Sequence, residues 1–345
     1  MISLKKLPTL YPFQKTAISN WAKENYQGIF EMATGTGKTF TAIGGIKQLQ
    51  QEIGKLLIII ACPYTTLVSQ WRENLQKWNI SSTVTPGNNN WRKDMKNEID
   101  VLNFSKTDEP GVIITSYATL SNEKFQHLIQ KSKVPNLLVA DEAHHVGATE
   151  SSKGLLENYT YRLGLTATLE RHFDPQGTQL LVDYFGKTVF EYSLAKAIDD
   201  GLLTGYYYYI VSDIDLDPDE KIEYRAFAST LARLYQMKKN KNANLAEIND
   251  KIKNTLIRRA KIIRDAKQKL VAFKREINKL AKVNYALIYC TENQIDDVQD
   301  WLLKRRPPII SNRITADDPK KSSDRQKIVN QLVKEKLNAI VAIKV

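Results

Sequence analysis

Two short stretches, far apart in the chain, hold the residue types and spacings most able to do chemistry. The first is Met32-Ala33-Thr34-Gly35-Thr36-Gly37-Lys38-Thr39. A glycine-rich loop between a strand and a helix turns successive backbone N–H groups toward one point. That concavity binds phosphate oxygens, and the N-terminus of the following helix adds its dipole. Thr34, Gly35, Thr36 and Gly37 would line it, with the two glycines permitting the tight backbone path. Lys38 would reach the β- and γ-phosphates, and the Thr39 hydroxyl would ligate magnesium. The second stretch is Asp141-Glu142-Ala143-His144, two adjacent carboxylates closing the apolar run Leu137-Leu138-Val139-Ala140. Open α/β sheets place ligands at the carboxyl ends of their strands. Asp141 suits magnesium, held through its waters. Glu142 suits the orientation and polarisation of an attacking water, and His144 then lies close to the γ-phosphate. The pair of motifs specifies an ATP and Mg2+ site with its own hydrolytic base. One departure stands out: the general phosphate-loop pattern starts with glycine where this chain has Met32.

The elements that must position these residues are visible as short apolar runs with helical patterns between them. Leu56–Ala61, Val112–Thr115, Leu137–Ala140, Arg162–Leu165, Ala286–Tyr289 and Ala339–Ile343 read as buried parallel strands of an α/β fold. Ile29–Met32 feeds the glycine loop, and a helix over Lys38–Gln51 follows it. The pattern changes near residue 205. Beyond Tyr206–Ile210, the segment 216–283 is charged and helical. Phe227, Leu231 and Leu234 share one face there. Leu256, Ala260, Ile263, Leu270, Ile277 and Leu280 recur at helical spacing. Strand signals resume at Tyr285. The expected layout is a P-loop α/β domain over 1–210, a helical basic insertion or bridge over 211–283, and a second α/β region over 284–345. That last region reads as partial, because Asn338–Val345 has the pattern of an interior strand.

Bulk composition narrows the function classes. A chain of 345 residues with 42% hydrophobic content can fill real cores. No apolar run approaches the roughly 18 residues of a membrane span, and the N-terminus carries no signal-peptide pattern, so a cytoplasmic protein is expected. Cys62 and Cys290 form no metal pattern and read as buried thiols. The net charge of +12 is local: residues 217–282 hold 18 Lys/Arg against 8 Asp/Glu, and the rest of the chain carries only +2. A local basic block suggests a polyanion partner; the alternative is a solvated helical face. Arg258-Arg259-Ala260-Lys261 lies on the charged side of a helix whose other face is apolar. It could add salt-sensitive duplex binding, or belong to a bridge packed on the first domain.

In combination and in order, the motifs resemble superfamily 2 DExH helicases and translocases, and among these the motor subunits of type I and type III restriction enzymes. Leu10-Tyr11-Pro12-Phe13-Gln14-Lys15-Thr16-Ala17-Ile18 is similar to the family's adenine-recognition segment, which implies that Gln14 reads the adenine edge. Ala61–Trp71 and Thr115–Leu120 are similar to motifs Ia and Ib. The resemblance implies contacts to the phosphodiester backbone of one strand there, with Thr65, Ser116 and Thr119 as suitable hydroxyls; an ordinary turn or cap role is the alternative for each. Gly164-Leu165-Thr166-Ala167-Thr168 is similar to motif III, which implies that Thr166 and Thr168 couple hydrolysis to nucleic-acid movement through His144. Leu169 stands where the family often has proline. Ala286–Thr291 is similar to motif IV, the start of a second motor domain. The family's motifs V and VI, with the arginine fingers of motif VI, lie beyond the strand where this chain stops. Trp71 and Trp91 could stack on bases, but packing against a neighbouring helix is the favoured reading.

The resemblance implies two RecA-like domains whose cleft closes on ATP and reopens on hydrolysis. The expected function is a nucleic-acid-dependent ATPase acting as a DNA helicase or duplex translocase. Its binding would be sequence-independent, without membrane association, in restriction, phage defence or repair, and with other subunits of a restriction or defence complex as partners. DNA is preferred over RNA on analogy with the restriction branch. The alternatives are a nucleotide-regulated DNA clamp that does not translocate, an RNA helicase, and a protein-remodelling P-loop ATPase.

Overall fold

Apolar runs without polar alternation must be covered on both faces, and the first half of the chain meets that demand with a sheet sandwiched between helices. The computed structural model describes residues 8–106, 108–146, 149–171, 174–211, 214–239, 244–315 and 322–343. The chain divides into two compact units, Met1–Tyr206 and Tyr207–Val345.

The first unit holds seven strands: β1 (Gln27–Met32), β2 (Leu57–Cys62), β3 (Thr83–Val84), β4 (Gly111–Ser116), β5 (Asn136–Asp141), β6 (Tyr161–Thr166) and β7 (Thr188–Tyr192). They form one sheet in the order β3-β4-β2-β5-β6-β1-β7, with every pairing parallel. The helices that matter for the site are α1 (Pro12–Lys23), α2 (Lys38–Ile53), α3 (Thr65–Lys77), α4 (Trp91–Phe104), α5 (Tyr117–Leu120) and α6 (Glu123–Ile129). Successive residues of β2 enter opposite cores, as a strand's period of two requires. Ile58 and Ile60 pack with Trp21, Ile43 and Trp71 from α1, α2 and α3. Leu57 and Ile59 pack with Met95, Ile99 and Phe125 from α4 and α6. Full burial of one such side chain contributes about 1.5–3 kcal/mol.

Five of the apolar runs of this unit, from Ile29–Met32 through Arg162–Leu165, are strands, four with one or two residues added at their ends and Leu56–Ala61 shifted by one residue to Leu57–Cys62. β3 and β7 were not legible. β3 spans two residues, and β7 is an edge strand, Thr188-Val189-Phe190-Glu191-Tyr192, only partly buried before Tyr192. Helix α2 starts at Lys38 as read and runs to Ile53, where Gly54 at φ 82° ends it.

In the second unit, the helix Pro218–Lys238 packs on the helix Leu245–Asp265 through Leu231, Leu234, Ile248 and Ile252, with Leu256 beside them. The apolar repeat over 254–282 is not one helix. It breaks at Ala266, which is extended at ψ 126° and buried, and a new helix runs over Lys267–Asn278. The spacing stays helical across the break because the halves serve different cores. Leu256 faces the helix pair, whereas Leu270, Phe273 and Ile277 cover a small sheet. That sheet is β8 (Ala286–Cys290), β9 (Ser311–Ile314) and β10 (Ala339–Ile343), in the order β8-β10-β9 and parallel throughout. β9 (Ser-Asn-Arg-Ile) has too polar a sequence to announce itself. Residues 344 and 345, part of the expected last strand, lie outside the described residues. Among the described residues no helix is long and apolar enough to cross a membrane. Cys62 is buried, Cys290 is half-buried, and neither is bonded to another cysteine.

Candidate functional site

The glycine loop leaves β1 at Met32 and enters α2 at Lys38. Met32 is fully buried as the last residue of the strand, and its carbonyl accepts from Lys38 Nζ at 3.0 Å. The loop thus begins on a core side chain rather than on glycine without altering the path that follows. Gly35 and Gly37 both take positive φ, 89° and 85°. At Gly37 a second constraint applies: a Cβ would stand 2.6 Å from Gln14 Nε2. The Thr36 hydroxyl donates to Ala33 O at 2.7 Å and pins the turn. The amides of Thr34, Gly35 and Gly37 find no acceptor among the described residues, and the first-turn amides of α2 are open by helix geometry. This is a cradle of unspent donors, and it fits a phosphate chain.

Gln14 sits at the loop, 3% exposed, with both ends of its amide spent on protein groups. Oε1 accepts from Tyr11 N, the N-cap residue of α1, at 2.9 Å. Nε2 donates to the Thr36 and Gly37 carbonyls at 3.3 and 3.4 Å. Its visible work is to staple α1 to the phosphate loop.

Asp141 ends β5, one strand removed from β1 with β6 between them. Register aligns the three ends: Asp141 lies opposite Leu165, and Thr166 lies opposite Glu31. The Asp141 carboxylate is 5% exposed. Its Oδ2 accepts from the Trp71 indole N–H at 2.8 Å and its Oδ1 from Glu142 N at 3.1 Å, while the Tyr117 hydroxyl donates to its backbone carbonyl. Burial raises the carboxyl above its usual range, opposed by the Trp71 hydrogen bond. Trp71 is 1% exposed and so cannot stack on a base; it packs in the core and aims the carboxylate. Trp91 likewise packs, at 5.9 Å from the Phe125 ring.

Glu142 turns into the left-handed region at φ 49°, ψ 54°. A side chain held there costs on the order of 1–3 kcal/mol, an expense that recurs at functional sites. The turn swings its carboxylate back over the loop, 3.9 Å from Lys38 Nζ and 3.6 Å from His144 Nδ1. His144 Nδ1 also lies 3.1 Å from Thr166 Oγ1. That hydroxyl donates its one proton to Thr168 O at 2.6 Å, and therefore accepts from His144. The imidazole thus carries its proton on Nδ1. Burial, aided by His145, lowers its pKa, so it is neutral at pH 7. His145 is half-buried, 5.5 Å from the Tyr64 ring. Glu31 Oε1 accepts from Leu169 N at 3.0 Å, fixing the turn where the family often has proline.

Thr39, on the first turn of α2, and Asp141 are the residues that could hold magnesium. Among the described residues no set of three or more His, Cys, Asp or Glu side chains could hold a metal by itself. That donor set fits magnesium, which takes one or two protein oxygens and fills its octahedron with phosphates and water.

The hydroxyls expected at a nucleic-acid track are spread along the same carboxyl edge of the sheet. Thr65 is exposed at the first turn of α3. Ser116 caps α5, accepting from Thr119 N at 3.2 Å and pairing with Thr119 Oγ1 at 3.1 Å. In the second unit Arg258 is exposed, and the Arg259 guanidinium lies 5.4 Å over the Tyr224 ring. Sequence reasoning missed Trp71, Tyr117 and Glu31 as partners of the site, since their contacts are set by strand order and no local spacing signals them.

A glycine loop feeding α2, paired carboxylates at the end of β5 and a Thr-Ala-Thr turn at the end of β6 share the carboxyl edge of one parallel sheet, an arrangement that resembles the nucleotide-binding domain of superfamily 2 helicases. Residues 7–171 match the family model described as "Type III restriction enzyme, res subunit". The chain is 30% identical over 224 residues to the endonuclease subunit of the type I restriction enzyme EcoAI of Escherichia coli, covering 61% of this chain and 25% of that one. It is 31% identical over 163 residues to the DNA 3'-5' translocase XPB2 of Sulfurisphaera tokodaii, covering 47% and 31%. The fold is shared with the ATP-dependent type ISP restriction-modification enzyme LlaBIII, solved bound to DNA, at TM-score 0.62 and 18% identity, over 98% of this chain and 24% of that one. It is also shared with the Pyrococcus furiosus Hef helicase domain at TM-score 0.54 and 16% identity, over 96% and 85%. The chain spans no more than 31% of the length of these curated relatives.

Proposed function

We propose that this chain is the motor portion of a nucleic-acid-stimulated ATPase that works on duplex DNA as a helicase or translocase, converting ATP and water to ADP and phosphate. The observation that carries the proposal is the close succession of side chains Lys38, Glu142, His144 and Thr166, at 3.9, 3.6 and 3.1 Å, the last of these a hydrogen bond. It joins the phosphate cradle to the turn after β6, so that a change at the γ-phosphate has a mechanical outlet.

In this reading the amides of Thr34, Gly35 and Gly37 and the Lys38 ammonium hold the triphosphate. Glu142 orients the attacking water and accepts its proton. Thr39 and Asp141 hold magnesium, which when bound neutralises charge on the β- and γ-oxygens. Gln14 reads adenine by exchanging its loop carbonyl partners for the base. Thr166 and Thr168 relay the state of the site. Thr65, Ser116 and Thr119 contact backbone phosphates without reading sequence, and Arg258 and Arg259 add duplex contacts. The similarity to restriction-enzyme subunits supports partners within a restriction or defence complex, acting in the cytoplasm. The layout 1–210, 211–283 and 284–345 is kept as motor domain, basic helical bridge and second RecA-like region.

The experiment is ATP turnover by the full-length protein with and without duplex DNA. Stimulation of turnover by duplex DNA supports the motor reading. Unstimulated turnover with nucleotide-dependent DNA retention would instead identify a clamp.

A further inference from the structure

The first unit carries a strongly basic groove that the site described above does not use. Helices α4 and α6 pack together, and between their exposed faces lies a groove of about 610 Å3 lined by Arg92, Lys93, Lys96, Lys124, Glu123 and Leu128, beside His127. All four cations are exposed, and none is in an ion pair among the described residues. Glu123 is the single opposing charge in the lining. Arg92 and Lys96 stand at i,i+4, where like charges weaken a helix. Stability therefore gives no reason for this clustering.

The position of the groove does give a reason. α5 and α6 follow directly from the carboxyl end of β4, so Lys124 comes five residues after Thr119. α4 leaves β3 at the same edge of the parallel sheet and runs back toward the start of β4, which puts Lys93 and Lys96 in its first two turns near that edge. The Arg92 guanidinium lies 5.3 Å over the Trp91 ring, and Trp91 is held against Phe125 of α6. The two helices are thus locked where their cations converge. The groove is thus joined to the Ser116–Thr119 turn through α5 and α6.

We propose that this groove is a second phosphate-backbone site, which takes the sugar–phosphate backbone of duplex DNA beyond the stretch held at Ser116 and Thr119. The proposal rests on the nucleic-acid reading above. It is sequence-independent by construction, since mobile lysines meet phosphates as point charges.

The test uses the full chain carrying Lys93→Gln, Lys96→Gln and Lys124→Gln together, and a labelled random-sequence DNA duplex titrated across a range of KCl. Each lost phosphate contact should flatten the slope of log affinity against log salt by about one. The triple variant should bind about tenfold or more weakly at low salt, with basal ATP turnover and melting temperature unchanged. The matching Lys→Arg triple variant should bind as the parent does. Equal affinity and equal slope for parent and glutamine variant would overturn the groove while leaving the motor reading intact. A parent protein that binds no duplex at any salt concentration would overturn both.

Discussion

The Trp71 indole N–H donates to Asp141 Oδ2 at 2.8 Å, with both side chains almost fully buried. A carboxylate meant for magnesium needs a fixed direction and a charge that survives burial. The indole supplies the first outright and part of the second, since its bond opposes the upward shift that burial imposes. The bond thereby ties α3, which begins with Thr65 at the carboxyl edge of the sheet, to the Asp141 carboxylate.

Trp71→Phe keeps the bulk and removes the donor. A charge-assisted hydrogen bond of this kind is worth about 1.5–3 kcal/mol. The expected result is a higher magnesium requirement and an acid limb of the turnover profile displaced to higher pH. A variant that melts lower but keeps the parent's pH profile would assign Trp71 to packing alone.

Lys38→Ala should reduce hydrolysis by at least about a hundredfold, the scale of losing one preorganised charge at a transition state. Glu142→Gln keeps the shape of the side chain and loses the base. ATP should then bind and remain uncleaved, read as retention of labelled nucleotide in a single-turnover experiment. Normal turnover by the Glu142→Gln protein would remove that carboxylate from the chemistry.

Thr166→Val preserves volume and deletes the hydroxyl that links His144 to Thr168. Basal turnover should change by less than about threefold, while stimulation by duplex DNA is lost, because a bond outside the reacting centre carries coupling rather than chemistry. Equal stimulation in parent and variant would show that the relay runs elsewhere.

His144 also sets a pH dependence. Burial holds its folded pKa below the ordinary 6.5, so in the window just below 6.5 the unfolded chain binds more protons than the folded one. Its contribution to stability is complete above that value and is lost as pH falls toward the folded pKa. His144→Asn, which keeps an N–H for Thr166 and does not titrate, should match the parent near pH 7.5 in thermal melts. It should outlast the parent as the pH drops below 6.5. Parallel melting curves across that range would show that the imidazole is not desolvated.

Much of the candidate site was legible because its motifs are local. Gly35, Gly37, Lys38 and Thr39 act through one loop and one helix start, so their spacing alone implies a phosphate cradle. Asp141 and Glu142 announce a strand end because the residues before them are uniformly apolar. The strands β1, β2, β4, β5 and β6 could be read for the same reason: burial on both faces leaves a continuous apolar run. What the chain could not declare is adjacency. That β6 lies between β1 and β5, bringing Thr166 to His144 and Glu142 to Lys38, follows from sheet order, which no run of residues encodes. The edge strands β3 and β7 and the polar β9 escaped notice because half-exposed strands carry mixed composition. The break at Ala266 hid behind an unbroken helical spacing, since two different cores drew on one periodic pattern. Trp71 read as a packing residue until the fold placed a buried carboxylate within hydrogen-bond reach of its indole. Chemistry that depends on local backbone shape is written in the chain, whereas chemistry that depends on which strand ends are neighbours is decided only when the sheet assembles.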